Sequence, residues 1–182
     1  MVDKSDLTEA DEAVLYMLNE LNKYFNNITK TLVQKVFFLI NRSLGDKYVQ
    51  YESLHYGMYS YDLEEILEKE EDLGVIDDKR KLSYSGQEVL MQTRDSQLKK
   101  SIDTIIDSIK NLDEDDILYL LYHLYPDFTK DSRIINKINS YKLESATINL
   151  GEIKIGESKL IKTDKNNVLT VKKLDKETLE II

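Results

Sequence analysis

Residues 59–90, YSYDLEEILEKEEDLGVIDDKRKLSYSGQEVL, decide the fold because they read as a helix, a short hairpin and the start of a second helix. Serine is a preferred N-cap residue, and Ser60 stands directly before the first helical segment. Apolar residues then recur at helical spacing over residues 63–73, and Gly74 ends the pattern. The stretch therefore predicts a helix between Ser60 and Gly74.

The hairpin is predicted from two short strand-forming segments, 75–76 and 81–84, which flank the polar turn 77–80. Ser85 and Glu88 then have the spacing of a capping box, in which each side chain bonds a free backbone N–H of the other residue. A second helix is therefore predicted to begin with Ser85 as its cap.

The rest of the chain divides into helical segments and a strand-rich end. The segment 29–43 is apolar on most helical faces, which predicts a central, buried helix. The tyrosine-rich segment 47–54 predicts a short strand. After residue 145, β-branched residues alternate with polar ones, which predicts two to four short strands, with a loosely held tail as the alternative. The other helices are predicted at about 8–24, 29–43, 98–110 and 114–125.

Composition limits the classes of function. The chain has 182 residues, a net charge of −9 and a pI near 4.8, which disfavours nonspecific binding to nucleic acid or to an anionic membrane. It contains no cysteine, so disulfides, thiolate metal sites and cysteine nucleophiles are excluded. The acidic start of the chain does not resemble a signal peptide, and no segment approaches the ~18 apolar residues of a membrane span. These features predict a cytoplasmic globular protein without a membrane partner.

Short motifs of glycine, aromatic and polar residues are spread over roughly residues 28–140. They comprise Gln34, Lys35 and Phe38; Tyr56, Gly57, Met58, Tyr59 and Ser60; Leu73, Gly74, Val75 and Ile76; Leu82, Ser83, Tyr84, Ser85 and Gly86; and Tyr125, Pro126, Asp127, Phe128 and Thr129 with Ser132. This set resembles the motifs of uncharacterised archaeal and bacterial winged-helix proteins related to SocA/Panacea-type antitoxin domains. The resemblance implies a winged-helix scaffold and a regulatory or antitoxin-like role.

The expected fold class is α+β, with a predominantly helical winged-helix-like core, a β-hairpin wing and a short β-rich C-terminal extension. The chain order of helix, buried helix, acidic helix, hairpin and helix agrees with this class. We expect three parts, namely a winged-helix-like domain over 1–97, a helical extension packed on it over 98–143, and a β-rich segment over 144–182.

The predicted helix after Ser60 carries too much negative charge to enter a DNA groove. Residues 59–72 contain seven acidic residues and one lysine, a net charge of −6. A recognition helix lies between two rows of phosphates, and each close carboxylate–phosphate pair costs about 1 kcal/mol even in water. Residues 44–58 also separate this helix from the preceding one, whereas a helix-turn-helix uses a turn of about three or four residues. Groove insertion by this helix is therefore disfavoured.

Binding to the DNA backbone through other residues is an alternative. Basic residues cluster at the tip of the predicted wing and on the second helix, where they could contact phosphates. The competing interpretation is a solvated surface, since the clusters are small and acidic residues lie beside them. The candidate phosphate contacts are Lys79, Arg80, Lys81, Lys30 and Lys35.

A protein partner is the first hypothesis for the acidic helix and the tyrosines around it. Tyrosines are enriched in binding surfaces because the ring buries a large area while the hydroxyl stays wet, and carboxylates attract a basic partner. The competing interpretation of the acidic helix is a solvated face on a helix that packs on the domain core. For the tyrosines, the equal alternative is that they fill the gap between helices. The candidate partner contacts are Tyr56, Tyr59, Tyr61, Glu64, Glu65 and Glu68.

The sequence shows no catalytic constellation. His55 and His123 are the only histidines, and neither belongs to a recognisable acid–base pair. The acidic run 113–116 lacks the glycine and distal glutamate of a calcium-binding loop, so favourable interaction of these carboxylates with a helix N-terminus explains it better. We expect no catalytic residue, no metal, no cofactor and no small-molecule substrate.

These observations predict a non-enzymatic regulatory or antitoxin-like protein-interaction module. Its partner would be a protein, of basic character if it contacts the acidic helix, or a second copy of the chain. The alternative is a DNA-binding transcriptional regulator that contacts phosphates through the basic wing.

Overall fold

The computed structural model describes residues 7–93 and 95–135 and the backbone of three strands beyond them. The described part is mostly helical with short antiparallel strands, which confirms the coarse α+β prediction. The helices are α1 Glu9–Leu21, α2 Lys30–Ser43, α3 Tyr61–Asp72, α4 Tyr84–Gln92, α5 Ser96–Ile109 and α6 Glu114–Leu124. The strands are β1 Glu52–Leu54, β2 Gly57–Tyr59, β3 Ser158–Lys162, β4 Val168–Lys173 and β5 Leu179–Ile181.

The chain forms two compact units. The first contains Met1–Tyr51 and Ser60–Ile106, and the second contains Glu52–Tyr59 and Asp107–Ile182. This division differs from the predicted boundary at residue 97 in two ways. Most of α5 belongs to the first unit, where Tyr16 of α1 donates a hydrogen bond to Asp103 at 2.9 Å. The β1–β2 hairpin, although it lies between α2 and α3 in the chain, belongs to the second unit.

Helix α1 is in contact with α2, α3 and α4 in the first unit. The prediction of a buried second helix is confirmed, because every α2 residue from Leu32 to Asn41 is buried. The fully buried apolar side chains include Leu15, Leu18, Leu21, Phe37, Phe38, Ile40 and Leu63. Burial of each such side chain contributes roughly 1.5–3 kcal/mol relative to an exposed position.

Two buried amide side chains of α2 organise the segment that leads to α3. Asn41 Nδ2 donates to the carbonyl oxygen of Val49, and Asn41 Oδ1 accepts from the backbone N–H groups of Tyr48 and Val49. Gln34 pairs with the backbone of Ser60, since its Nε2 donates to the Ser60 carbonyl and its Oε1 accepts from the Ser60 N–H, each at 2.9 Å. The N-terminus of α3 is thereby fixed to α2.

The region predicted as a wing is smaller than expected. Only the bridge between Ile76 and Leu82 pairs its two arms. Helix α4 is capped by Ser83, whose Oγ accepts from the Gly86 N–H, so the predicted cap at Ser85 is wrong. Ser83 is held at the start of the helix because its N–H donates to the Val75 carbonyl at 2.9 Å and its Oγ donates to the Gly74 carbonyl at 2.7 Å.

The second unit joins the β1–β2 hairpin to α6 and the residues that follow α6. Gly57 has a φ of +82°, and a Cβ added to it would lie 2.9 Å from Tyr122 Oη, so glycine alone fits this position. Tyr122 Oη lies 2.6 Å from Ser132 Oγ, and Ser132 Oγ donates to the carbonyl oxygen of His55. The backbone N–H of Arg133 donates to the same oxygen at 2.7 Å. Strand β2, which pairs antiparallel with β1 so that Glu52 lies opposite Tyr59, was not predicted.

The C-terminal strands form one antiparallel sheet in the order β3–β4–β5. Three strands agree with the prediction of two to four short strands in this part of the chain. The remainder of the predicted segment 144–182, and residues 136–143 of the predicted helical extension, lie outside the described residues. No helix among the described residues combines the length and the apolar character that a membrane span requires.

Candidate functional site

The outward surface of α3 is a continuous acidic face, defined here by Tyr61, Glu65, Glu68 and Asp72. These four residues are spaced four, three and four positions apart, so they lie along one side of the helix, and all four are exposed. At 1.5 Å per residue the row is about 16 Å long. On the opposite side, Leu63, Leu67 and Glu70 are buried.

The ends of α3 are held by local interactions that its sequence predicts. Ser60 caps the helix, because its Oγ accepts from the Leu63 N–H at 3.2 Å. At the other end Gly74 has a φ of +67°, the left-handed conformation that terminates helices. Since Gln34 also binds the Ser60 backbone, the acidic face lies on a helix whose start is fixed to the core.

The carboxylates of the acidic face are not neutralised by nearby cations. Lys30 forms an ion pair with Glu64, at the side of the face, and Lys69 forms one with Asp11 of α1 at 3.0 Å. No ion pair joins Glu65, Glu68 or Asp72 to another described residue. The row therefore keeps its negative charge at the surface. Sequence reasoning missed Asp72, although its helical spacing from Glu65 and Glu68 would have placed it there.

Of the five candidate phosphate contacts, one is buried and two are bonded to other groups of the chain. Lys35 is only 2% exposed, so the expectation that its ammonium group lies at the surface is wrong. The Arg80 guanidinium donates to the carbonyl oxygen of Ile28 at 2.9 Å, and Lys30 is paired with Glu64. Lys35 lies within the run from Leu32 to Asn41 in which every residue of α2 is buried, as the predicted burial of this helix implies.

Lys79 and Lys81 remain exposed at the tip of the turn. Asp77 stands beside them, and its carboxylate accepts from the backbone N–H groups of both lysines, at 2.9 and 2.8 Å. The turn thus carries a carboxylate directly next to its two accessible cations.

The candidate tyrosines have different environments. Tyr61 is 56% exposed on the first unit, and Tyr56 is 62% exposed on the loop of the β1–β2 hairpin in the second. Tyr59 of the second unit is half-buried. In contrast, Tyr51 packs edge-on against Phe38 at 5.0 Å and donates to the carbonyl of Gln34. Tyr51 therefore fills space between packed segments, whereas Tyr56 and Tyr61 are exposed enough to contact a partner.

The two histidines make structural contacts. His123 Nδ1 lies 2.8 Å from the carbonyl oxygen of Tyr119, one turn earlier in α6. His55 Nε2 lies 3.2 Å from a guanidinium nitrogen of Arg133. In the acidic run 113–116, the first and last aspartates form a capping box at the start of α6. Within the described residues no group of three or more His, Cys, Asp or Glu side chains is arranged to hold a metal ion.

Sequence reasoning also missed a pair of buried carboxyl groups between α1 and α3. Asp11 is 1% exposed and Glu70 is 0% exposed. A glutamate within an acidic helix is expected to be solvated, but Glu70 lies three residues after Leu67 on the buried side of α3, and this spacing was the available signal.

No family model matches this chain, and no curated protein is significantly similar to it.

Proposed function

We propose that this chain is a non-enzymatic regulatory or antitoxin-like interaction module on a winged-helix scaffold, and that the acidic face binds a basic protein partner. The observation that supports this proposal most is the row of Glu65, Glu68 and Asp72, which is exposed and forms no ion pair with any described residue. Complementary charge accelerates association and selects the partner. Tyr61 at the start of the row adds an aromatic anchor of the type enriched in interfaces.

The spacing of the carboxylates indicates the form of the partner surface. Neighbours three or four positions apart on a helix have Cβ atoms about 5–6 Å apart. Lysine or arginine residues at the same spacing on a partner helix would match the row. The exposed Tyr56 of the second unit provides a separate aromatic contact for the same class of partner.

DNA binding is the second candidate function, because Lys79 and Lys81 are exposed at the tip of the turn. Two accessible lysines beside Asp77 give few phosphate contacts, and nonspecific affinity depends on the number of phosphates neutralised. The geometry therefore supports the protein partner over DNA.

Neutralising the acidic face is expected to weaken partner binding by at least about tenfold, because opposite-charge contacts and steering are lost. The variant carries Glu65→Gln, Glu68→Gln and Asp72→Asn. The chain is used as bait in extract of its native host at physiological salt, bound proteins are quantified by mass spectrometry, and the recovered partner is then titrated with purified chain.

A matched control carries Glu52→Gln, Asp78→Asn and Asp127→Asn, which remove three exposed carboxylates elsewhere. The net charge changes equally, so this control is expected to bind like the wild type. Equal loss of affinity in both variants, or equal affinity of all three proteins for the recovered partner, would show that the acidic face is not the binding surface.

A further inference from the structure

Within the described part of the chain, the contact between α1 and α3 contains two buried carboxyl groups and one nearby cation, Lys69. Asp11 Oδ2 accepts from the backbone N–H of Thr8, from Thr8 Oγ1 and from Lys69 Nζ. Asp11 Oδ1 and both carboxyl oxygens of Glu70 are buried without a hydrogen-bond partner. Three acceptor oxygens of two acidic side chains are therefore unsatisfied in the interior of the first unit.

An ionised carboxylate in this environment is strongly unfavourable. Buried charges persist where they are paired and hydrogen-bonded, and otherwise the group takes up a proton and becomes neutral. Lys69 is already bound to Asp11, and among the described residues no cation forms an ion pair with Glu70. A metal ion is the other way to neutralise such a pair, but the described residues offer no group of three ligands here or elsewhere.

We propose that Glu70 carries a proton in the folded protein and that release of this proton to solvent weakens the contact between α3 and α1. The stability of α3 would then respond to pH. This inference does not depend on the proposed partner, because it concerns the free chain.

The charged groups around Glu70 support protonation. Burial raises the pKa of the Glu70 carboxyl well above its usual range, and the Asp11 carboxylate of α1 raises it further. Lys69, its neighbour on α3, acts in the opposite direction. From the segment after α3, the N–H groups of Val75 and Ile76 donate to the Glu70 carbonyl oxygen and leave its carboxyl group unbonded.

The sign of the pH effect follows from the raised pKa. The folded state binds a proton that the unfolded state releases near the ordinary glutamate pKa of 4.5. The stabilising contribution is therefore complete below that pH and is lost as the pH rises towards the folded-state value. In this window the unfolding equilibrium constant increases by up to about tenfold per pH unit.

The test compares urea unfolding of the wild type and Glu70→Gln between pH 5 and pH 9. The unfolding equilibrium constant of the wild type, divided by that of Glu70→Gln, is expected to rise with pH. The reason is that the amide of the variant remains neutral while the wild-type carboxyl group ionises. A ratio independent of pH would overturn the proposal. Glu68→Gln is the control, since this exposed residue lies on the same helix. If it removes the pH dependence as fully as Glu70→Gln does, the net charge of α3 is responsible and the proposal fails.

Two measurements on the wild type keep the proposal testable even if Glu70→Gln does not fold. At pH 6, where exposed glutamates are ionised, the ¹³C chemical shift of the Glu70 carboxyl carbon is expected to be that of a protonated carboxyl group. A chemical shift typical of an ionised carboxylate at this pH would overturn the proposal. Hydrogen-exchange protection of α3 amides, corrected for the intrinsic effect of pH, is expected to fall as the pH rises. Constant protection up to pH 9 would show that proton release does not loosen α3.

Discussion

Replacing Gly86 by alanine is expected to lower the free energy of unfolding by about 3 kcal/mol, because the added Cβ would lie 2.2 Å from the carbonyl oxygen of Val75. That oxygen is held in place, since it accepts from the Ser83 N–H at 2.9 Å. The N–H of Val75 in turn donates to the Glu70 carbonyl. Helix propensity alone predicts the opposite sign, a gain of about 1 kcal/mol for alanine over glycine.

Urea unfolding followed by far-UV circular dichroism measures this change. Gln87→Ala is the control, because Gln87 is the next residue of α4 and is exposed, so its effect should stay within about 0.5 kcal/mol. A Gly86→Ala variant as stable as the wild type would mean that α4 does not approach Val75 this closely.

Replacing Asn41 by alanine is expected to cost about 3–5 kcal/mol, since it removes a fully buried hydrogen-bonding side chain. The Tyr48 N–H, the Val49 N–H and the Val49 carbonyl would all lose a bond to the amide. Each buried polar group left unsatisfied costs about 1–3 kcal/mol. The loop after α2, which leads towards α3, should therefore loosen together with the core.

The loss in Asn41→Ala is measured by thermal and urea unfolding, with Asn26→Ala, an exposed asparagine, as the control. The control should change stability by less than about 0.5 kcal/mol. Asn41→Asp tests the donor and the acceptor of the side chain separately. The aspartate carboxylate can still accept from the Tyr48 N–H, but when it is ionised it has no N–H to donate to the Val49 carbonyl. Full stability of Asn41→Asp at neutral pH would contradict the assigned role of the Nδ2 group.

Helix positions could be predicted from the sequence because their signals are local. Ser60 and Gly74 bound α3 as expected, and the apolar positions Leu63 and Leu67 are buried while Glu65 and Glu68 are exposed. The helical periodicity would also have located Asp72. The candidate site was therefore largely predictable where it depends on one amphipathic helix.

Contacts between distant segments could not be predicted in this way. Gly57 of β2 lies against Tyr122, and the His55 carbonyl oxygen accepts a hydrogen bond from Ser132, which is 77 residues later in the chain. Local capping chemistry favours Ser85, but Ser83 caps α4, and the N–H of Ser83 donates to the Val75 carbonyl on the other side of the turn. Tertiary packing overrides local propensity at such positions.

Buried ionisable groups were missed for a related reason. Charged side chains are almost always solvated unless they are paired, so Lys35 and Glu70 were assigned to the surface by default. The spacing of Lys35 and Glu70 from apolar residues of the same helix indicates that they lie on its buried side. How completely they are buried depends on the helices packed against them.

We propose that the carboxylates of α3 keep this helix out of DNA and that the chain binds a basic protein instead of DNA. The most direct test of this proposal is an equilibrium titration of fluorescent duplex DNA, including the region upstream of the chain's own gene, at about 50 mM salt. We expect no binding of the duplex DNA by the wild type at micromolar protein concentration. Binding that falls steeply with added salt and disappears in Lys79→Gln/Lys81→Gln would contradict it.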